Sequence, residues 1–285
     1  GTLVGSAKPY IVSLKVFTCS GYFDSRWLFS AVDWISGTSN PYRWMPGVIN
    51  QSGYLGPWDD QMTFQSYGDA VSRLVTATQF PFFTSADNYS ADACRFSPKD
   101  RAYTNTNHSG TVFVAGGTSM GGANTPYQNT DYRWQMWNGD VAKTGVDTGS
   151  NGGGCVSVYA PAADIYAARN TGPNDYGVAS GTSFSSPLTA GIAARYIANQ
   201  RTLTGATPTY QQVYDFLLAQ AQTIVSNATT PEYWACAATT SNGGHTFTSF
   251  PYHAGCAAGF TDLYFPSVSN TSNARMLFWD NGTCP

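Results

Sequence analysis

Residues 178–194 read VASGTSFSSPLTAGIAA. A short apolar run ends in Gly-Thr-Ser at 181–183, and the apolar residues of 183–199 predict a buried helix. The first backbone N–H groups of a helix lack intrahelical partners and stabilise negative charge. Such a turn is most often an N-cap. The other interpretation makes Ser183 a nucleophile, with Gly181 allowing close approach of a substrate and Pro187 placed in the first turn, where proline is tolerated.

Strands and helices alternate on both sides of this stretch. Short apolar runs predict strands at 9–17, 47–52, 80–86, 111–115, 155–159 and 164–167. Helical spacing of apolar residues predicts a helix capped by Asp24 or Ser25, and a second over 61–77. A last helix is expected to open with Thr207 at the N-cap and Pro208 at the first helical position. This order predicts an α/β fold with a mostly parallel central sheet flanked by helices.

Two regions differ from this alternating pattern. Residues 116–153 are polar and rich in Gly, Asn and Thr, which predicts a long surface loop or insertion. Residues 226–285 hold three of the six cysteines and many aromatic residues, without a helical stripe. We therefore divide the chain into a main domain, 1–225, and a disulfide-stapled, β-rich or irregular extension, 226–285.

Composition excludes two classes of partner. The chain has 285 residues, a formal charge of −3 and only 11% charged residues, so no basic field is present to bind nucleic acid. Its longest apolar runs are far below the ~20 residues of a membrane-spanning helix. No sequence pattern calls for a cofactor, and no Cys-x-x-Cys or His/Cys cluster suggests a metal site.

Even cysteine number, low charge and Asn-x-Ser/Thr sequons together favour a secreted protein. The alternative is an intracellular protein with six free thiols. Six sequons are present, and glycosylation is predicted at four of them, Asn107, Asn227, Asn270 and Asn281.

Four further blocks agree with the 178–194 stretch in order and spacing. They are SLKVFTCSGYFDSRWLFSAVDWI at 13–35, PGVINQSG at 46–53, FTSADNYSADACRFSP at 83–98 and GGCVSVYAPAADI at 153–165. Together the five blocks resemble the subtilisin-like serine peptidase family, in its proteinase K and aqualysin-like branch, over residues 5–222. The resemblance implies a three-layer subtilisin-like fold and hydrolysis of peptide bonds.

The resemblance also implies roles for particular residues. Ser183 matches the nucleophile and Asn88 matches the Asn whose side-chain amide donates to the oxyanion. The substrate-binding positions that match the family's specificity pocket are Ser52, Gly53, Ser85, Ala86 and Asp87. We expect the sequon at Asn88 to be unoccupied, because a glycan there would block the site.

The chain departs from the family pattern at several of these positions. Asp87 stands where the family usually has Gly, so its carboxylate would either favour a basic substrate side chain or obstruct the pocket. Residues 52–56, Ser-Gly-Tyr-Leu-Gly, differ from the family's Ser-Leu-Gly-Gly pattern. Leu188 replaces a His, and Ser157 replaces an Asp that binds calcium in some relatives, so that calcium site is not expected.

A nucleophilic Ser needs a base, and the base needs an orienting acid. In the family both precede residue 13, and the sequence begins at Gly1-Thr2, where the His block would be ending. None of the histidines present, His108, His245 and His253, lies in a sequence like that around the family's catalytic His. We expect all three to be structural or surface residues. We therefore expect the Asp and His on a separate N-terminal fragment of the same precursor.

The cysteines suggest how such a fragment could be held. Cys94 and Cys155 match positions that are disulfide-linked in some relatives, and Cys236 with Cys256 form a plausible local pair. In relatives, a Cys placed like Cys19 bonds near the catalytic His. Cys19 therefore either tethers the fragment or pairs with Cys284.

Two function classes remain. The first is a secreted serine endopeptidase completed by the N-terminal fragment, with a peptide or protein as substrate. The second is a catalytically inactive module that keeps the fold for a structural or binding role in an extracellular assembly. Ser183 and Asn88 favour the first, whereas Asp87 and the altered 52–56 loop favour the second.

Overall fold

The computed structural model describes most of residues 10–223 and three short segments beyond them. The described ranges are 10–17, 24–56, 61–89, 91–118, 149–162, 165–168, 172, 175–223, 234–238, 260–264 and 275–277. Of the predictions above, those on Cys19, Asn227, His245, His253, Cys256, Asn270, Asn281 and Cys284 lie outside these ranges.

The described residues form four α-helices and ten strands. The helices are α1 (Ser25–Ser36), α2 (Gln61–Thr78), α3 (Thr182–Thr204) and α4 (Tyr210–Gln220). The strands are β1 (Ile49–Gln51), β2 (Phe82–Ser85), β3 (Val112–Thr118), β4 (Val158–Pro161), β5 (Ile165–Ala168), β6 (Tyr176–Ala179), β7 (Ala221–Thr223), β8 (Trp234–Ala238), β9 (Phe260–Tyr264) and β10 (Arg275–Leu277). None of the described helices is both long and apolar enough to cross a lipid bilayer.

The main sheet has the strand order β1-β2-β3-β4-β10-β7. Strands β1 to β4 are parallel, β10 is parallel to β4, and β7 pairs antiparallel with β10. The chain therefore has the mostly parallel α/β fold that the sequence predicts. Because parallel strands place their carboxyl ends at one edge, the residues that follow β1 and β2 lie close together.

Helix α3 lies across strands β1 to β4. Its buried face is built from small residues, among them Ala190 and Ala193, which allow the helix backbone to approach the sheet. Beneath it, Phe83 and Phe113 stand on neighbouring strands at a ring-centroid distance of 5.6 Å. The core is therefore continuous under the start of α3, and this rigid support fixes where residue 183 lies.

Tyr214 of α4 joins that helix to the amino ends of β2 and β3. Its buried hydroxyl accepts from the N–H of Phe82 at 2.7 Å and lies 3.0 Å from the carbonyl oxygens of Phe82 and Thr111. Burial raises the pKa of Tyr214 well above its ordinary value. The phenol therefore stays neutral, and its hydroxyl joins α4 to β2 and β3 by hydrogen bonds.

Two local predictions are wrong. Residues 10–16 do not form a strand. Tyr10 and Ile11 are 86% and 84% exposed, so their apolar side chains lack the burial that would hold a strand in place. Helix α4 is capped by Thr209 instead of Thr207, because Thr209 and Gln212 form a reciprocal capping box.

The boundaries of the two polar regions also differ from the expectation. Residues 116–118 belong to β3, and Ser150 and Asn151 are 1% and 0% exposed. Residues 116–117 and 149–152, near the two ends of the 116–153 segment, are therefore buried and do not belong to a surface loop. In the 226–285 region, β8 and β9 form an antiparallel pair, while β10 joins the main sheet.

Candidate active site

Ser183 is the second residue of α3 and is exposed to solvent. The preceding Gly181 has φ 147°, a conformation that residues with a Cβ rarely adopt. Its N–H donates to the carbonyl of Ala162 at 2.7 Å, which anchors the turn to the end of β4. The turn therefore delivers Ser183 to the sheet edge at the point where the helix begins and its N–H groups are unpaired.

The backbone of Ser183 is held from the neighbouring strand end. Pro187 lies inside α3, so it has no N–H to donate to the carbonyl four residues earlier, which is that of Ser183. The hydroxyl of Ser52, just past β1, donates to this carbonyl at 3.0 Å. Pro187 thus lies beyond the first helical position, and Ser52 supplies the hydrogen bond that the proline removes.

Asn88 lies beside the residue that precedes Ser183. Its Oδ1 accepts from the backbone N–H of Thr182 at 3.0 Å and from the Thr182 hydroxyl at 2.8 Å. An Asn amide has one oxygen and one NH₂, so two bonds to the oxygen determine which way the group is turned. The orientation of the Asn88 amide is thereby fixed, and sequence reasoning missed this contact with Thr182.

The loop that carries Asn88 is clamped by residues 149–155. Asn151 Oδ1 accepts from the N–H groups of Tyr89 and Ala91 at 3.0 and 2.9 Å, and its own N–H donates to the carbonyl of Asp87 at 2.8 Å. The disulfide between Cys94 and Cys155 closes the same junction. Asn151 is 0% exposed, and its polar sequence context gave no signal of this role.

The remaining predicted pocket residues also meet at this edge. Gly53 follows Ser52, and its carbonyl accepts from Thr84 of β2 at 3.4 Å. Ser85, Ala86 and Asp87 continue β2 towards Asn88, and all three side chains are buried. This segment therefore keeps its side chains inside the protein. Asp87 has φ 73°, which explains physically why Gly suits this position.

Asp87 is paired inside the protein with Lys99. Nζ of Lys99 lies 2.7 Å from Oδ2 of Asp87, and the two side chains are 0% and 5% exposed. Burial lowers the pKa of Lys99, and the neighbouring carboxylate of Asp87 opposes that shift. The sequence gives no sign that Lys99 is buried, so its ion pair with Asp87 could not be predicted.

His108 lies at the other edge of the sheet. It precedes β3, whose first residue pairs with the first residue of β2, whereas Asn88 follows the last residue of β2. Its Nδ1 is 2.9 Å from the hydroxyl of Tyr103 and 3.2 Å from Asp215 Oδ1. Within the described ranges, the site therefore combines the Ser183 hydroxyl and the Asn88 amide without an imidazole.

Other predicted residues lie away from this site. Asn107 is exposed, and its Nδ2 donates to the carbonyl of Ala102 at 3.1 Å, so its glycosylation stays a prediction. Cys236 lies in β8, and its pairing with Cys256 stays a prediction. The buried hydroxyl of Ser157 bonds the N–H of Val114 and the carbonyl of Tyr103. Ser157 thus joins two chain segments at the start of β4.

Serine hydrolases that stabilise an oxyanion combine a serine at a helix start with a nearby side-chain amide donor. Three curated relatives match the sequence. Alkaline serine exoprotease A of Vibrio alginolyticus is 29% identical over 78% of this chain and 33% of its own length. An extracellular serine proteinase of Thermus sp. strain Rt41A is 29% identical over 80% and 45%. An alkaline extracellular protease of Yarrowia lipolytica is 28% identical over 70% and 38%.

Among solved structures, a cold adapted subtilisin-like serine proteinase is 25% identical, with a TM-score of 0.49, over 73% of this chain and 58% of that one. No family model matches the sequence. The chain spans between a third and a half of the length of the curated relatives. Over 70–80% of its length the chain is therefore similar in sequence to serine proteases, two of them named as extracellular.

Proposed function

We propose that this chain is the nucleophile-bearing part of a secreted subtilisin-like serine endopeptidase. Ser183 attacks the carbonyl carbon of a peptide bond, and Asn88 donates from Nδ2 to the oxyanion that forms. The observation that carries this proposal is the pair of hydrogen bonds from Thr182 to Asn88 Oδ1. They leave Nδ2 as the donor beside the nucleophile.

The chemistry follows from this arrangement. The Ser183 Oγ–carbon bond forms as the hydroxyl proton passes to a base, and the carbon–nitrogen bond breaks as that proton passes to the leaving amine. Water then hydrolyses the acyl-enzyme by the same steps. One side-chain amide donor contributes about 3–4 kcal/mol to the stability of such a transition state.

The base is the part of the proposal that the described residues do not supply. His108 is bound to Tyr103 and Asp215 at the opposite edge of the sheet. We propose that an imidazole and its carboxylate partner come from an N-terminal fragment of the same precursor, outside residues 1–285. The short span of the curated relatives that this chain covers supports a larger functional unit.

Attachment of that fragment and secretion are parts of the same proposal. Cys19 is the proposed tether, and non-reducing mass spectrometry tests it, because a Cys19–Cys284 bridge would contradict the tether. The Cys94–Cys155 disulfide and the word extracellular in the names of two relatives support secretion. The proposed substrates are peptides and proteins.

The second candidate function is an inactive module in an extracellular assembly. The observation that favours it is the buried Asp87–Lys99 pair, which puts two charged side chains beside the predicted specificity pocket. Under this alternative, Ser183 would be only a helix-start residue.

A fluorophosphonate probe distinguishes the two functions. It is applied to native secreted material that contains every fragment of the precursor. An endopeptidase is labelled at Ser183, the label is lost in Ser183→Ala, and it is kept in Ser30→Ala, which changes an exposed serine of α1. Native material that is not labelled at Ser183 would overturn the endopeptidase and leave the inactive module.

A further inference from the structure

The Asp87–Lys99 ion pair lies between the two strand ends that flank Ser183. Asp87 directly precedes Asn88 at the end of β2, and its Oδ2 is 2.7 Å from Lys99 Nζ. The same Nζ is 3.5 Å from the carbonyl oxygen of Gly53, at the end of β1. The ammonium group therefore contacts both segments in which the sequence places the substrate-binding positions.

The charge of Asp87 is matched inside the protein. The Lys99 side chain is fully buried, and its Nζ is 5.0 Å from the centre of the Tyr54 ring and 5.9 Å from that of Phe96. Aromatic faces attract a cation, so these rings hold the ammonium where it meets the carboxylate. Ser85 lies on the other side of the carboxylate, with its hydroxyl oxygen 3.4 Å from Asp87 Oδ1.

We propose that Lys99 is the specificity-determining residue of this site, acting as an internal counter-ion that makes the pocket reject basic side chains. The proposal rests on the proposed function in taking this edge of the sheet as the substrate site. A substrate Lys or Arg that approached Asp87 would bring a second cation next to the Lys99 ammonium. It would lose its hydration without gaining an unmatched carboxylate, so uncharged side chains are preferred.

Removing the Lys99 charge should reverse this preference. Lys99→Met replaces the side chain by an uncharged one of similar length and removes the ammonium group from the carboxylate of Asp87. The matched control is the double variant Asp87→Asn with Lys99→Met, which removes both charges and keeps side chains of similar size. Only the single variant has a net negative charge at this position.

The first test measures binding and needs no turnover. Benzamidine and its neutral analogue benzamide are titrated into the native protein and both variants by isothermal calorimetry. We expect Lys99→Met to bind benzamidine at least about tenfold more tightly than the native protein or the double variant does. Equal benzamidine affinity in all three proteins would overturn the proposal.

The native protein provides a test that does not depend on folding of the variants. We expect it to show no preference for benzamidine over benzamide, and to cleave peptides after Phe or Leu at least about tenfold faster than after Lys or Arg. A native preference for benzamidine or for cleavage after basic residues would overturn the proposal.

Failure of this inference is distinguishable from failure of the proposed function. If fluorophosphonate labels the native material and the native protein prefers benzamidine to benzamide, only the inference about Lys99 is wrong. If the native material is not labelled but Lys99→Met gains benzamidine binding, the proposed peptidase function is wrong. The role of the Asp87–Lys99 ion pair is then still supported.

Discussion

Thr182 holds Asn88 by two hydrogen bonds to the same oxygen, one from its backbone N–H at 3.0 Å and one from its hydroxyl at 2.8 Å. Thr182 is also the residue next to Ser183 in the chain. Thr182 therefore connects α3, which carries Ser183, to the Asn88 amide that is proposed to donate to the oxyanion. Its contribution is orientation, because the bonds to Oδ1 leave Nδ2 for the substrate.

Substitutions of Asn88 separate its two functions. Asn88→Asp keeps an oxygen for Thr182 and loses the Nδ2 donor, whereas Asn88→Ala loses both. We expect each to lower kcat/KM by roughly 100- to 1000-fold in protein expressed from the full precursor. Only Asn88→Ala should also lower the free energy of unfolding, by about 1 kcal/mol. Asn107→Asp, at the opposite edge of the sheet, is the control, and a fully active Asn88→Asp would contradict the assigned role.

The contact between Ser52 and Ser183 can be tested by a double-mutant cycle. Ser52→Ala removes the donor to the Ser183 carbonyl and should lower the free energy of unfolding by about 1 kcal/mol in urea. Pro187→Ala restores an N–H four residues after Ser183, so Ser52→Ala should cost less in that background, with a coupling of about 0.5 kcal/mol or more. Strict additivity of the two substitutions would show that Pro187 and Ser52 do not act on the same carbonyl.

The Cys94–Cys155 disulfide should stabilise the junction beneath Asn88. The two cysteines are 61 positions apart, and closing a loop of this length contributes about 4 kcal/mol through the unfolded chain. We expect the double variant Cys94→Ala with Cys155→Ala to unfold at clearly lower urea concentration than the native protein. An unchanged unfolding midpoint would mean that the hydrogen bonds between residues 87–93 and 149–152 hold this junction without the disulfide.

Tyr214→Phe should destabilise the sheet without touching the site. It removes a buried hydroxyl that pairs the N–H of Phe82, and a buried polar group left unpaired costs about 1–3 kcal/mol. The matched control is Tyr196→Phe, since Tyr196 is a half-buried ring stacked on Phe216 at 3.9 Å. Chemical denaturation measures both. Equal stability of the two variants would contradict the role of the Tyr214 hydroxyl.

Much of the fold was predictable because its elements are short-range patterns. The stripe of Leu28 and Val32 marks α1, and the side chain of Asp24 caps it by accepting from the N–H of Arg26. Predictions from local patterns were wrong where burial determines whether a strand forms, or where two residues compete to cap a helix. Tyr10 and Ile11 look like strand residues but are exposed, and Thr207 looks like a cap but Thr209 has the better partner in Gln212.

The α/β order of elements and the helix that begins at the Gly-Thr-Ser turn could be predicted from the sequence, and Ser183 and Asn88 could be named as candidates. The order of elements and the helix follow from residue types and spacings within a few positions of one another, whereas the candidate roles of Ser183 and Asn88 come from the resemblance of their blocks to the subtilisin-like family. The contacts of those residues could not be predicted and depend on the folded chain. Thr182 and Asn88 are 94 positions apart and Ser52 and Ser183 are 131 apart, so their pairing depends on the register of the folded sheet. The ion pair of Lys99 with Asp87 also depends on tertiary structure. Folding buries the two charges together and removes the water that would otherwise screen them.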